Sequence, residues 1–363
     1  MGYENNVRIT GLGLVNRAGL TPEKFWEALK DPELAQSLPR GAEAPVKLKL
    51  PGSRLRRMNR YCRLALYCAI EASEDAAVPQ ETDPFLRGTI FTTGYGSAAA
   101  NLKFFREAQK GEPDFCSPTV FTGIVPNSCV GTVCMFLNCK GVSTVLAGGN
   151  HLEYSSLLLR KGKAKYILAG AVEEYTPELF ASLRQNPCAR NVEIEEGTVV
   201  LCLEQAAALE EKGRPLGYCS LKHTVSVSLG SFPLVSEAWK EDGKAQIEEA
   251  LARCLREAFG STQEAARVDA VFSAAAGTDF DLVEKTVLER FFPRERVIGK
   301  LKKVTGETVG CGLSISVAAG ALCLSHGYVP GVLTAAGKDL SVQRLLVTGY
   351  DAAGNYSCCI LER

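Results

Sequence analysis

The run Tyr166-Ile-Leu-Ala-Gly170 is short, apolar and rich in strand formers, and three others share its character: Val7-Arg-Ile-Thr10, Gly88-Thr-Ile-Phe-Thr-Thr93 and Thr198-Val-Val-Leu-Cys-Leu203. Each precedes or follows a longer amphipathic segment. That alternation predicts α/β layers. Further out, Thr21-Pro22-Glu23 opens a helix with a capping hydroxyl, a proline in the first turn and an acid at the positive end of the dipole. Ile247, Leu251, Cys254, Leu255, Ala258 and Phe259 mark one face of another helix, which Gly260 stops.

At Lys212-Gly-Arg-Pro-Leu-Gly217 helix formers give way to a Gly/Pro turn and a new strand. This predicts two halves, residues 1–213 and 214–363. Their last strands, Thr198–Glu204 and Tyr356–Glu362, both follow a Gly-containing turn and both end in Leu-Glu, so a duplicated architecture is expected.

The 363 residues suffice for a large core, with 46% apolar and 23% charged side chains and 41 basic against 41 acidic groups. A balanced charge argues against nucleic-acid and polybasic membrane binding. Met1-Gly-Tyr-Glu-Asn-Asn-Val7 carries no basic-then-apolar leader and no later stretch is long enough to span a bilayer, so a cytoplasmic protein is expected. Fourteen cysteines are scattered, often inside apolar runs such as Val133-Cys-Met-Phe136, where a free thiol acts as a small buried hydrophobe. Cys129, Cys134 and Cys139 at five-residue steps, and the adjacent Cys358-Cys359, match no zinc spacing. Neither metal nor cofactor is expected.

Several segments together resemble β-ketoacyl synthases of the thiolase-like superfamily. They are Arg8-Ile-Thr-Gly-Leu-Gly-Leu-Val15, Ser117-Pro-Thr-Val-Phe-Thr-Gly-Ile-Val-Pro-Asn127, Arg160-Lys-Gly-Lys-Ala-Lys-Tyr-Ile-Leu-Ala-Gly-Ala-Val-Glu-Glu174, Glu196-Gly-Thr-Val-Val-Leu-Cys-Leu-Glu204, Lys302-Lys-Val-Thr-Gly306 and Thr348-Gly-Tyr-Asp-Ala-Ala-Gly354. They fall in the family's order across nearly the whole chain. The resemblance implies a thiolase-like fold of two pseudo-duplicated αβαβα halves. It also implies decarboxylative condensation, in which a cysteine at a helix N-terminus accepts the acyl chain and two histidines stabilise the enolate.

None of the three positions carries the required group. In Val142-Ser-Thr-Val-Leu-Ala-Gly-Gly-Asn-His151 the nucleophile position aligns to Asn150 when counted from Lys140-Gly141, or to Leu146 when counted back from Arg160-Lys-Gly162. The window between them holds no cysteine. Ala275 or Ala276, in Ser273-Ala-Ala-Ala-Gly-Thr278, stands where the first histidine belongs, and a methyl group donates no hydrogen bond. Glu307 follows Lys302-Lys-Val-Thr-Gly306 in place of the second, where a carboxylate repels a developing enolate. The C-terminal Gly-Phe-Gly gate is altered to Gly349-Tyr-Asp-Ala-Ala-Gly354. Of the three histidines, His151 lies beside the nucleophile window, His223 falls in a polar strand, and His326 reads as a C-terminal helix cap.

The resemblance narrows to chain length factors, ketosynthase-like subunits that lack the nucleophile and pair with an active ketosynthase in type II polyketide or fatty-acid-like systems. Ala275-Ala-Gly-Thr278 fits them, whereas their usual glutamine at the nucleophile position is absent. The expected partners are that ketosynthase, in a heterodimer, and an acyl carrier protein. Phe121, Ile124, Val125, Met135 and Phe136 are the candidate tunnel or interface side chains, and Arg54, Arg56, Arg57 and Arg60 the candidate carrier-docking cations. The alternatives are acyl transfer or thioester hydrolysis through a relocated nucleophile at Cys129, Ser143 or Ser155, and a non-catalytic homodimer that binds acyl ligands.

Overall fold

The computed structural model describes residues 6–37, 46–48, 52–55, 58–110, 117–235 and 243–363. Twelve strands run in chain order: β1 (Val7–Asn16), β2 (Arg87–Thr93), β3 (Ser143–Ala147), β4 (Tyr166–Glu173), β5 (Gly197–Gln205), β6 (Cys219–Ser228), β7 (Ala270–Phe272), β8 (Val297–Ile298), β9 (Tyr328–Val329), β10 (Leu340–Ser341), β11 (Arg344–Tyr350) and β12 (Asn355–Glu362). The helices that position the site are α1 (Pro22–Lys30), α2 (Arg60–Asp75), α3 (Ala98–Gln109), α4 (Pro118–Phe121), α5 (Ser128–Leu137), α6 (His151–Arg160), α7 (Lys244–Phe259), α8 (Leu301–Thr305) and α9 (Gly312–His326).

Ten strands form one sheet in the order β3-β2-β4-β5-β1-β6-β12-β11-β7-β8. Its left side is repeated on its right. β1 and β4 each pair antiparallel with β5, while β2 lies parallel to β4 and β3. In the same way β6 and β11 pair antiparallel with β12, while β7 lies parallel to β11 and β8. The two sides meet where Val7, Arg8 and Ile9 pair with Leu221, Ser220 and Cys219. This is the thiolase-like fold with its pseudo-duplicated halves. A division into separate folding units at residue 213 is a proposal that this repeat motivates.

The central strands are apolar on both faces because helices cover both. α2 lies so close to β1 that a Cβ on Gly13 would stand 2.0 Å from the Cys68 carbonyl oxygen. α9 is buried over its whole length up to Leu324, in keeping with a sequence apolar on every side. α1 begins as expected, with the Thr21 hydroxyl accepting from Lys24 N–H at 3.3 Å. Of thirteen described cysteines only Cys134 is not buried. No described helix is long and apolar enough to cross a membrane.

Candidate functional site

The site is built where three loops converge: the turn from β3 into α6, the segment between α8 and α9, and the tip of the β11–β12 hairpin. Gly148 and Gly149 make the first turn with φ of 78° and 99°, backbone that favours glycine. Asn150 then caps α6, its Oδ1 accepting from Glu153 N–H at 3.2 Å. Of the two expected nucleophile positions, Asn150 lies at a helix N-terminus and Leu146 in β3 opposite Thr92. The hairpin tip seals this turn. The Asp351 carboxylate accepts from Gly149 N–H at 2.5 Å and from Ala353 N–H at 2.8 Å, so a free backbone donor in front of α6 is already bound by an internal anion.

His151 follows Asn150 and is fully enclosed. Its Nε2 lies 3.3 Å from the Ser314 hydroxyl, and its Nδ1 has no hydrogen-bond partner among the described residues. Burial alone pushes its pKa down to about 3, so the imidazole is neutral at ordinary pH. The small polar cavity beside it is lined by Thr92, Gly149, Leu313, Ser314, Tyr350 and Asp351, with about 10 Å³ of space, room for one water at most.

Glu307, expected at the second-histidine position, is 1% exposed and held from three directions. Lys302 Nζ donates to Oε2 at 2.5 Å, the Tyr350 hydroxyl to the same oxygen at 2.8 Å, and Val309 N–H to Oε1 at 2.7 Å. The Lys302 ammonium also lies 4.2 Å from the Tyr350 ring centroid. A compact buried ion pair thus forms here, and the neighbouring tyrosine hydroxyl is kept protonated by burial and by Glu307. At the first-histidine position Ala276 and Gly277 donate their amides to Asp281, at 3.1 and 2.7 Å, and Ala275 lies beside them on the same loop.

Two acids at the end of β4 hold the surrounding helices. Glu173 accepts from the amides of Gly94 and Tyr95 and from the Thr93 hydroxyl. Glu174 accepts from Tyr61 N–H and Ala99 N–H, both at 3.0 Å, and so ties the starts of α2 and α3 together. Burial raises Glu173 to about 8 and Glu174 to about 7. Both values exceed the ordinary 4.5, so the folded chain keeps protons that the unfolded chain releases, and this stabilisation is lost as pH rises through about 7–8. His151 acts in the opposite sense, since the unfolded imidazole protonates below 6.5 and the folded one not until about 3. Between pH 4.5 and 6.5 the two glutamates outweigh the single imidazole, so urea unfolding midpoints governed by these three groups should be highest near pH 4.5 and fall until about pH 8, and Glu173→Gln should flatten that falling limb. An unchanged limb in that variant would contradict the assignment.

A second, larger cavity of about 1130 Å³ opens between α2, α3, α4 and α5. Met135 and Phe136 line it with Met58, Cys62, Lys103 and Glu174. Phe121, Ile124 and Val125 lie outside that lining, and Phe121, Val125 and Met135 are exposed by 57%, 45% and 72%. Beside them β3 is an open edge strand with Ser143 and Ala147 exposed. Arg56, Arg57 and the side chain of Arg54 lie outside the described residues. Arg60, expected as a carrier-docking cation, donates its Nε to Glu196 Oε2 at 2.6 Å. His326 does lie in the last turn of α9, where it stacks on Trp26 at 4.1 Å. No group of three or more described His, Cys, Asp or Glu residues is arranged to hold a metal ion.

Comparison with known proteins agrees with this architecture. Residues 45–191 match the family described as Beta-ketoacyl synthase, N-terminal domain. The oxytetracycline polyketide putative beta-ketoacyl synthase 1 of Streptomyces rimosus is 23% identical, covering 89% of this chain and 86% of its own. The tetracenomycin polyketide synthase ketoacyl synthase alpha subunit of Streptomyces glaucescens is 22% identical, at 90% and 86% coverage. Among solved structures, the ishigamide ketosynthase/chain length factor superposes with a TM-score of 0.76 at 20% identity, over 98% of this chain and 99% of that one. A type II acyl carrier protein in complex with its ketosynthase bound to the hexaketide gives 0.75 at 18% identity, over 99% of both chains. The chain therefore has the thiolase-like fold of these ketosynthases, and residues 45–191 match the N-terminal domain of β-ketoacyl synthases. The curated proteins it resembles are polyketide ketoacyl synthases, at 22–23% identity.

Proposed function

We propose that this chain is a non-catalytic partner of an active ketosynthase, a chain-length subunit in type II polyketide or fatty-acid-like biosynthesis. The observation that carries the reading is the Lys302–Glu307–Tyr350 cluster, an ion pair sealed into the position where condensation needs a neutral imidazole donor. Asn150 at the start of α6, and Ala275 and Ala276 after β7, supply neither thiolate nor imidazole. Without the thiolate no acyl-enzyme forms.

The partner would cover the β3 edge and the apolar side chains around α4 and α5. Phe121, Met135 and Phe136 would then border its acyl chain, and the carrier protein would deliver substrate to the active subunit. An edge strand flanked by exposed apolar groups is a liability unless another chain covers it. The relocated-nucleophile reading finds less support. The Cys129 thiol is pushed up to about 12 by burial, the Ser155 hydroxyl donates to the His151 carbonyl oxygen, and Ser143 lies near Cys134 rather than a histidine.

The test has two parts. Tagged protein purified from its own host should bring down a ketosynthase in equal amount, and incubation of the isolated chain with acyl thioesters should leave its intact mass unchanged. A stable acyl adduct on this chain would overturn the proposal, and so would recovery of a homodimer alone.

A further inference from the structure

A pair of cysteines lies outside the residues described above for the site. Cys254 sits on the buried face of α7 and Cys358 in β12, both 0% exposed, and their sulfurs lie 3.3 Å apart. A disulfide requires about 2.05 Å, so the two atoms need approach by roughly 1 Å only. The Cys254 thiol has no strong alternative partner, the nearest acceptors being the carbonyl oxygens of Val225 at 3.7 Å and Tyr356 at 3.9 Å. We propose that Cys254 and Cys358 form an oxidisable dithiol, a modification site at which hydrogen peroxide ties α7 to β12.

The chemistry balances in two steps. The Cys254 sulfur takes one peroxide oxygen as the O–O bond breaks, giving a sulfenic acid and one water; the Cys358 sulfur then displaces that hydroxyl as a second water and forms the S–S bond. Two thiols are oxidised by one electron each and one peroxide is reduced by two. Both thiols are enclosed, and burial keeps that of Cys358 protonated, so reaction proceeds through transient lifting of α7 and is slow. The bond would close a loop across 104 sequence positions and anchor the strand that begins at Asn355, next to the hairpin tip sealing the α6 turn.

The full chain is treated with peroxide under native conditions, quenched with an alkylating reagent and mapped by non-reducing peptide mass spectrometry. The expected product is a Cys254–Cys358 peptide pair two hydrogens lighter than the dithiol, with the melting temperature raised by roughly 5 °C and both changes reversed by reductant. Cys254→Ala should abolish both changes, and the map of the unsubstituted chain stands whatever the variant's stability. The proposal is overturned if both cysteines remain alkylatable, or if the link appears only when oxidant meets the denatured chain. Neither result depends on which partner the chain binds.

Discussion

Glu307→Ala is expected to lower the free energy of unfolding by about 3–5 kcal/mol, because it strands a buried ammonium. Lys302 is 7% exposed and Glu307 1%, so neither charge is hydrated, and each is tolerable only because the other is present. Removing the carboxylate also takes the acceptor from the buried Tyr350 hydroxyl and from Val309 N–H. Replacing both partners by apolar residues of similar volume, Lys302→Met with Glu307→Leu, should be far milder than either single change. The asymmetry arises because a buried pair gains little over an apolar pair, while a buried single charge loses heavily. Urea unfolding of the four species in a double-mutant cycle measures this. A loss below about 1 kcal/mol for Glu307→Ala would show that water reaches Lys302. Glu307→His should not create condensing activity, since the α6 turn still lacks a thiol.

The second large effect concerns association. Met135→Asp should weaken the proposed complex with an active ketosynthase by about 100-fold or more, the loss expected when an apolar anchor becomes an unpaired buried charge. Met135 is 72% exposed in the single chain, so the substitution should leave the melting temperature nearly unchanged. That separation of binding from stability is the informative outcome. Lys163→Asp, in the exposed turn after α6, serves as the control and should alter affinity little. Equal affinity for the Met135 variant would place the interface elsewhere.

Much of the fold was legible in the sequence because period and punctuation report local structure directly. The apolar runs at Val7, Gly88, Tyr166 and Thr198 became strands, and Thr21-Pro22-Glu23 became a helix start. The helix stop at Gly260 was equally readable, with φ of 66° at that residue. The choice between Leu146 and Asn150 was not, because two anchors on either side of a short loop count to different residues, and only backbone geometry places Asn150 at a helix start. The partner of Arg60 was not legible either. A cation in a basic run looks solvated, yet α2 turns it toward Glu196, 136 residues away.

The sequence by itself determined the chemical inventory: no cysteine between Leu146 and Asn150, alanines at 275 and 276, and a carboxylate at 307. Only the tertiary structure decided what those residues do instead. Glu307 meets Tyr350 across 43 positions and Gly149 meets Asp351 across 202. Such partners are set by the order of strands in the sheet and by which loops that order brings to one end, and side-chain type alone carries no record of either.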